Sequence, residues 1–253
     1  WAENDTHSHV SEKGATTTVK IKKHITITCR AGLARVRPAA TSSSADESVT
    51  AEGILGDMKS ALDAISGHGI TSTIVGTSLH LKRDTEFNVT TPEPQLMQVT
   101  TGEANNIGDL PTSCRHGYVV KVVNSGEEDD DFYLKFRVDN VTGTPASDRF
   151  GVGVWEECPA PNLEIALNDD TLPIKLVREN PGNTYANGRF LVQKPTWIER
   201  DVGDNVTNPE PSFVGSKINK LLFFRNRLVI LSDQNVILSR TNDFHNFWSK
   251  TAM

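Results

Sequence analysis

Hydrophobic and polar positions alternate in short blocks near the end of the chain. The apolar runs Leu221–Phe224 and Leu228–Leu231 are separated by the polar residues 225–227, and a turn at 232–235 leads to a third run, Val236–Leu238. Apolar runs of this length bounded by Asp, Asn and Ser predict successive buried β-strands of a meander. Three aromatic residues close the segment: Phe244, Phe247 and Trp248.

One segment has the period of an α-helix instead. Its apolar residues recur at three- and four-residue steps, at Ile54, Leu55, Met58, Leu62 and Ile65. This stripe predicts an amphipathic helix over Thr50–Ser66 that packs against a core. Thr50 is the candidate N-cap, and Gly67 or Gly69 is the candidate C-terminal stop.

Period-two alternation predicts strands around this helix. Thr16–Cys29 is interpreted as a half-buried strand or a hairpin pair. Thr71–Val75 and Leu79–Lys82 form a predicted hairpin, Phe87–Thr90 is a predicted further strand, and Gln98–Asp109 is a predicted polar connector. Strand, helix and hairpin together predict a small α+β unit in which the helix covers one face of a sheet.

A second hairpin is predicted downstream. His116–Asn124 pairs in this interpretation with Phe132–Val138, where every second residue is apolar, and Phe150–Glu157 forms another strand. Pro159 and Pro161 follow, and proline cannot donate a hydrogen bond to a ladder. We therefore place a domain boundary near residue 158.

The remaining strands are short. They are predicted at Leu163–Leu167, Ile174–Arg178, Phe190–Gln193 and Trp197–Arg200, at a spacing typical of propellers or sandwiches. The predicted fold class is mainly β with a small α+β domain, followed by short antiparallel strands in a partial propeller or sandwich-like arrangement. The predicted divisions are a poorly ordered terminus at 1–14, an inserted α+β domain at 15–110, a β-hairpin layer at 111–158 and a β-rich platform at 159–253.

Composition narrows the classes of function. The 253 residues carry a formal net charge of −6, which argues against a surface that coats nucleic acid. An acidic wall around a channel for DNA remains compatible with this charge. The chain begins at Trp1 and runs to Met253 directly after a strand-like region, so we expect an internal fragment of a longer protein.

Several residues that bind metals or form disulfides occur in the sequence. His7 and His9 share one face of a strand but have no third ligand nearby, which favours a frayed terminus over a metal site. The acidic run Glu127–Asp131 lacks the spacing of a calcium loop and is interpreted as a solvated hairpin tip. Three distant cysteines, Cys29, Cys114 and Cys158, favour thiols over disulfides. We predict no metal and no cofactor.

The usual motifs of catalysis are missing from the sequence. It contains no Gly-x-Ser-x-Gly elbow, no His-Glu-x-x-His helix and no phosphate-binding loop. Paired carboxylates are visible only as Glu156-Glu157 and Asp169-Asp170, which are more simply acids of turns and strand ends. We therefore predict no catalytic residue.

Arg225 and Arg227 lie between two apolar strands. Two residues apart on an extended chain, they would project to the same side. One interpretation is contact with DNA phosphates in a channel. The other, which we favour, is pairing with acids of a neighbouring strand or subunit, or hydrogen bonding to loop carbonyls.

The second half contains many short motifs in a fixed order, with the residues Trp197, Arg200, Gly203, Asp204, Asn208, Pro209, Pro211, Phe213, Gly215, Arg225, Asn226, Arg227, Ser232, Asn235, Ser239, Arg240, Phe247 and Trp248. In this order the chain resembles the tail tubular protein B, or tail nozzle, family of short-tailed, podovirus-type bacteriophages. The sequence GILGDMKSALDAI, from residue 53, resembles the family's inserted domain more weakly.

The resemblance implies a structural role in the virion tail. It implies a ring of six copies below the adaptor ring, which is formed by tail tubular protein A, with tail fibre proteins attached nearby. The ring would form part of the conduit through which DNA is ejected, and it would be assembled in the cytoplasm of the bacterial host. No apolar run of the sequence approaches the roughly 18–20 residues that a membrane helix needs, so we predict no membrane insertion.

Two other functions remain open at this point. A tail-associated hydrolase of polysaccharide or peptidoglycan would need two carboxylates roughly 5–10 Å apart in a cleft. A glycan-binding adhesion module would present exposed Trp or Tyr side chains to a sugar.

Overall fold

The computed structural model describes residues 6–10, 16–20, 23–29, 51–91, 94, 97–123, 131–139, 149–178 and 189–252, and it describes the side chains of the first three segments only at 25–28. Contacts divide the chain into two units, Trp1–Glu156 and Glu157–Met253. The predicted division into four parts stays a prediction. Within the described residues there are sixteen strands and one α-helix, which confirms the mainly-β fold class. None of these residues forms a helix long and apolar enough to cross a bilayer.

The elements follow one another along the chain. The helix α1 spans Ala51–Asp63, and a short 3-10 turn spans Ile107–Asp109. The strands before residue 130 are β1 (Thr6–Val10), β2 (Thr16–Lys20), β3 (Lys23–Cys29), β4 (Thr71–Val75), β5 (Ser78–Arg83), β6 (Met97–Thr100), β7 (Glu103–Ala104), β8 (Ser113–Arg115) and β9 (Val119–Val122). The later strands are β10 (Phe132–Val138), β11 (Phe150–Cys158), β12 (Lys175–Arg178), β13 (Phe190–Gln193), β14 (Ile218–Phe224), β15 (Arg227–Ser232) and β16 (Asn235–Leu238).

A four-stranded sheet in the order β4-β5-β3-β6 carries the helix of the first unit. Leu55 of α1 is fully buried against Ile27, Leu79 and Leu81 of the sheet. The other core-facing residues of the helix, Ile54, Met58 and Leu62, pack around this cluster. The predicted packing of the helix on a sheet is therefore confirmed.

The helix is shorter than its apolar stripe predicts. It ends at Asp63, and Ile65 is 59% exposed, so the prediction that Ile65 belongs to the core stripe is wrong. The N–H of Ile65 bonds to the carbonyl of Leu62, which tightens the last turn and rotates the chain away from the sheet. Gly67 follows in the left-handed region, with φ at +83°. The candidate N-cap, Thr50, lies outside the described residues.

Two strand predictions around the four-stranded sheet are corrected. Thr16–Cys29 forms two strands in two different sheets, because β2 pairs with β1 whereas β3 pairs with β5 and β6. Phe87–Thr90 is not a strand, although Phe87 and Val89 pack against the core. The edge beside β3 is taken instead by Met97–Thr100, which overlaps the predicted polar connector. The predicted β4–β5 hairpin is confirmed.

The second sheet of the first unit has the order β7-β9-β10-β11-β8. The predicted pairing of β9 with β10 is confirmed and antiparallel. Along β10, Phe132, Leu134, Phe136 and Val138 are buried, whereas Lys135 and Arg137 are exposed. The predicted strand after it is confirmed as β11. The acids 127–130 between β9 and β10 lie outside the described residues.

The second unit contains a β12–β13 ribbon and a β14-β15-β16 meander, both antiparallel. The meander is confirmed, and its first turn has left-handed φ values of +44° at Arg225 and +58° at Asn226, which suit a tight two-residue hairpin. The prediction that all three of its strands are buried is wrong. The middle strand β15 is buried, but β14 is exposed along most of its length.

Two predicted strands of the second unit are loops. Leu163–Leu167 and Trp197–Arg200 form no ladder; instead the N–H of Arg200 bonds to the carbonyl of Ile165, at 2.8 Å. Trp197 is buried because it joins a core with Phe213, Leu228 and Ile230. The propeller or sandwich-like arrangement of this unit stays a prediction.

Candidate functional site

Arg200 is the centre of the residues that the sequence singles out in the second unit. It is only 1% exposed, and its guanidinium carbon lies 4.5 Å from the ring centroid of Trp248. Its Nη1 donates to Oδ1 of Asn205 at 3.0 Å. Burial lowers the pKa of Arg200, and the nearby charges of Glu210 and Asp204 oppose this shift. An arginine stays protonated in such a site, so a cation is enclosed by an aromatic face and a loop oxygen.

The loop after Arg200 is built by side-chain hydrogen bonds to the backbone. Oδ1 of Asp204 accepts from the N–H groups of Val206 at 2.9 Å and Thr207 at 3.0 Å. Asn208 donates through Nδ2 to the carbonyl of Val202 and accepts from the N–H of Ser249. The Asn208 amide therefore joins the loop to the last residues of the unit.

Gly203 supplies the turn of this loop. Its φ is +78°, and a Cβ placed on it would lie 2.7 Å from Oγ1 of Thr207 and 2.9 Å from Cβ of Asn208. Gly203 thus meets both conditions that require glycine: a left-handed backbone and no room for a side chain.

An aromatic cluster packs beside Arg200. The ring centroid of Phe247 lies 6.0 Å from that of Trp197 and 5.1 Å from that of Phe213. Nε1 of Trp248 donates to the carbonyl of Ile198 at 2.8 Å. These contacts make the cluster part of the core of the unit.

Two of the family-matching residues in the meander, Arg227 and Ser239, also form hydrogen bonds to the backbone. Nη1 of Arg227 donates to the carbonyl of Ser239 at 3.1 Å, whereas Arg225 lies in the turn with its guanidinium 5.3 Å from the Phe224 ring centroid. The expectation that both arginines extend from one strand face is wrong, because Arg225 is not in an extended conformation. Oγ of Ser239 accepts from the N–H of Leu228 at 2.9 Å.

The other matching residues occupy ends and turns. Asn226 accepts the N–H of Asn242 through its carbonyl, and Asn235 begins β16 opposite Ser232. Gly215 has φ at +73°. The remaining positions are Pro209, which is exposed, Pro211, which is buried, and Arg240, whose N–H bonds to the carbonyl of Asn246.

Three of the four candidate carboxylates lie in exposed ion pairs, whereas Oε2 of the half-buried Glu157 accepts from the N–H of Ala252 at 3.0 Å. Oε1 of Glu156 accepts from Nε of Arg137 at 2.8 Å, and Asp170 pairs with Lys194. Asp169 lies 3.9 Å from the same lysine. Within the part of the chain that the structure describes, no group of three or more His, Cys, Asp or Glu side chains is placed to hold a metal ion. The side chains of His7, His9 and Cys29 lie outside the described set.

A buried polar cluster in the first unit escaped the sequence analysis. Oγ1 of Thr26 lies 2.8 Å from Nδ1 of His80 and 3.6 Å from Sγ of Cys114. Burial lowers the pKa of His80 to about 4 and raises the pKa of Cys114 to about 11. A thiol in this state is not an effective nucleophile at neutral pH, so the cluster is structural. Cys114 and Cys158 are both buried thiols, as expected.

We expect the first unit to lose stability as the pH falls from about 6.5 to about 4. The unfolded chain binds a proton at His80 in this window and the folded unit does not, so stability rises with pH there. The pKa of His80 is about 6.5 in the unfolded chain and about 4 in the folded unit. Because one pKa unit corresponds to about 1.4 kcal/mol, the free energy of unfolding should fall by about 3 kcal/mol between these two pH values. Urea titrations at several pH values measure this loss.

The variant His80→Phe is the control for this dependence. It removes the titrating group from a site lined by Tyr118 and Phe150, whose rings lie 5.7 and 5.0 Å from that of His80. The variant should lose the acid-dependent part between pH 6.5 and 4. It should keep the loss that comes from Asp63 of the same unit, whose lowered pKa makes stability fall only below its ordinary value of 3.8. An equal loss in both proteins would contradict the assignment to His80.

Apolar side chains are exposed along the edges of the second unit. Phe223 is 71% exposed, and the other exposed apolar residues of the meander are Leu221, Leu222, Phe224, Val236 and Leu238. The β12–β13 ribbon and the residue before it expose Ile174, Leu176, Phe190 and Val192. Several large apolar side chains exposed along the same strands are typical of a surface that meets another protein. No sequence signal separates the exposed strand β14 from the buried strand β15.

Buried side chains that hold loops in place, together with exposed apolar strands, are typical of a structural protein that assembles through its surfaces. The family described as "Bacteriophage nozzle protein" matches residues 3–253. A tail tubular protein of Escherichia phage T7, gp12, is 36% identical over 155 residues, which are 61% of this chain and 17% of that protein. The match thus spans less than a fifth of the relative's length.

The chain belongs to the bacteriophage nozzle protein family, as the resemblance in its sequence predicted. It is therefore a structural component of a phage tail. Its location in the virion tail follows from the same comparisons.

Proposed function

We propose that this chain forms part of the wall of the tail nozzle, in a ring of six copies that conducts DNA during ejection. The observation that carries the proposal is the family match over residues 3–253. Exposed apolar strands in the second unit supply surface that a neighbouring copy buries. The ring contacts the adaptor, tail tubular protein A, on one side, and tail fibre proteins attach nearby.

The net charge supports passage of DNA without strong binding. A chain with a formal net charge of −6 gives weak attraction to phosphates, and attraction to phosphates is what would slow movement along the wall. Function in this proposal lies in interfaces and in the shape of the lumen, and the chain is not an enzyme. Assembly takes place in the cytoplasm of the infected bacterium, with no cofactor and no membrane insertion.

Neither alternative function has a supporting observation in the described residues. The acids considered for glycoside hydrolysis, at 156 and at 169–170, lie on the surface next to cations. Trp155, Trp197 and Trp248 are buried or half-buried and engaged in ring contacts, and not displayed for a sugar.

Electron microscopy tests the proposal directly. Tail particles that contain the chain, isolated with the adaptor, should show a six-fold ring with the second unit in contact with its neighbours. Density for this chain outside the tail axis, or a ring lumen lined mainly by Lys and Arg, would contradict the proposal.

We expect Phe223→Ser to weaken assembly without loss of folding. Phe223 is largely exposed, so its removal should lower the free energy of unfolding by no more than about 1.5 kcal/mol, which is the upper value for its edge-to-face contact with Phe244. Loss of a large aromatic from an interface typically costs about 1–3 kcal/mol of binding. Incorporation into tails, measured by quantitative immunoblotting of purified particles, should therefore fall.

The matched control for this substitution is Lys217→Ser. Lys217 is an exposed polar residue that directly precedes the same strand. The control should leave both incorporation and stability unchanged. Normal incorporation of Phe223→Ser would show that this strand is not an interface.

A further inference from the structure

The second unit contains an open basic pocket. A cavity of about 490 Å³ is lined by Arg227, Arg240, Thr241, Asp243 and Lys250. Three cationic side chains and one carboxylate line it, so it carries an excess of positive charge in a chain that is acidic as a whole. Such a pocket attracts an anionic group.

The pocket is held in place by bonds within the unit. The Arg227 guanidinium donates one of its five N–H groups to the carbonyl of Ser239, and the remaining N–H groups can bind further acceptors. The backbone of Arg240 is tied to Asn246, and Oδ2 of Asp243 accepts from Nδ2 of Asn246 at 2.9 Å. The single carboxylate of the lining is thus partly satisfied internally, whereas the cations remain available.

Apolar surface continues from the pocket. Phe244 follows Asp243 in the chain, and its ring lies 5.3 Å from that of Phe223 in an edge-to-face contact. Both rings are exposed. A partner that covers the whole patch must therefore place acidic residues in the pocket and other, apolar residues on the two rings. A protein surface has this combination, while the backbone of duplex DNA presents charge alone.

The acidic partner is present in the sequence of the chain itself. Acids elsewhere pair with cations: Asp63 with Lys59, Asp131 with Lys121, Glu156 with Arg137 and Asp170 with Lys194. Residues Glu127, Glu128, Asp129 and Asp130 form an unbroken acidic run in the connection between β9 and β10. Contiguous acids repel one another and are stabilised by a cationic partner.

We propose that the basic pocket of one copy receives the acidic run 127–130 of a second copy. This contact is heterologous, since the run lies in the first unit and the pocket in the second, and a heterologous contact forms a ring when the rotation between successive copies closes. The inference rests on the self-assembly in the proposed function and names the surfaces that meet. The opposite charges fix how one copy is placed against the next, and burial of the adjacent Phe223 and Phe244 rings stabilises the contact.

Two charge-reversed variants test the contact. The pocket variant carries Arg240→Glu and Lys250→Glu, which make the lining net negative. The loop variant changes all four acids to lysine: Glu127→Lys, Glu128→Lys, Asp129→Lys and Asp130→Lys. Each variant alone faces like charges across the contact, so self-association, measured by sedimentation velocity, should weaken by about a hundredfold. The matched control Lys217→Glu reverses an exposed cation outside the pocket and should associate like the unmodified chain.

Mixing the two variants distinguishes contact between copies from contact within one copy. In the mixture each pocket meets a loop of opposite charge on the other variant, so association should return to near the unmodified level. A contact within one copy would not be restored by mixing. Circular dichroism confirms that each variant is folded, and Lys250→Glu alone, at an exposed position, serves as a milder pocket variant with an effect of about tenfold.

Three results would overturn the inference. They are unchanged association of the pocket variants, failure of the mixture to recover, and loss of binding to duplex DNA by the pocket variants with association intact, which would assign the pocket to DNA. If the unmodified chain still forms rings in tails, only this inference fails. If the unmodified chain is never found in a ring, the proposed function fails with it.

Discussion

Replacing Gly153 by alanine should disrupt the five-stranded sheet of the first unit. A Cβ at this position would lie 2.0 Å from the carbonyl oxygen of Arg137 and 2.8 Å from Cα of Val138. Both atoms belong to the backbone of β10, so the neighbouring strand itself must move. Overpacking of this kind costs about 3 kcal/mol or more. Hydrogen exchange of peptides from β10 and β11, followed by mass spectrometry, measures the loss of protection.

Gly56→Ala is the matched control for this substitution. Gly56 lies within α1, and a Cβ there would meet no atom within 4 Å. Alanine is the better helix former, so the control should stabilise the first unit by about 0.5–1 kcal/mol. The same added methyl group should therefore lower the stability at Gly153 and raise it at Gly56, because only Gly153 lies against the backbone of a neighbouring strand. Normal protection in Gly153→Ala would show that this contact is looser than described.

Removing Trp248 should destabilise the second unit by about 3–5 kcal/mol, as expected for a buried tryptophan changed to alanine. Trp248 is 4% exposed and covers the guanidinium of Arg200. The variant Trp248→Ala would leave this cation beside a cavity and the carbonyl of Ile198 without its indole donor. Urea unfolding, followed by hydrogen exchange of peptides from 197–215, measures the effect on this unit alone.

A graded variant separates the two contributions of Trp248. Trp248→Phe keeps an aromatic face over Arg200 but removes the Nε1 donor, so it should cost about 1–2 kcal/mol. Phe223→Ser, at an exposed aromatic of the same unit, should cost clearly less than Trp248→Ala, because it removes only an edge-to-face contact with Phe244. Equal stability of Trp248→Ala and the unmodified chain would show that Arg200 does not depend on this ring.

The surfaces proposed for assembly could be predicted only in part. Leu221–Phe224 and Leu228–Leu231 are equally apolar, and the sequence therefore predicts that both are buried. In the described meander β15 lies between two strands whereas β14 is an edge strand, and this position decides which of them is exposed. The sequence also could not predict that the residues of the basic pocket lie together, because Arg227 meets residues 240–250 only in the folded unit.

Local elements and the family could be read from the order of residues alone. Period-two alternation located β10, short apolar runs located the meander, a period near 3.6 located α1, and polar turn residues located the hairpin at 225–226, because these signals depend on the local backbone. The order of short motifs between Trp197 and Trp248 identified the family, which the match over residues 3–253 confirmed.

The pairing of strands and the burial of charges depend instead on contacts between distant parts of the chain. The partners of β3 are β5 and β6, which begin about fifty and seventy residues further along. No local period records a partner at that distance. Arg200 resembles any surface arginine in the sequence. Trp248, distant along the chain, supplies an aromatic face, and Asn205 supplies an acceptor, and these contacts replace part of the hydration that the cation loses. Its Nε and Nη2 are buried without a hydrogen-bond partner among the described residues.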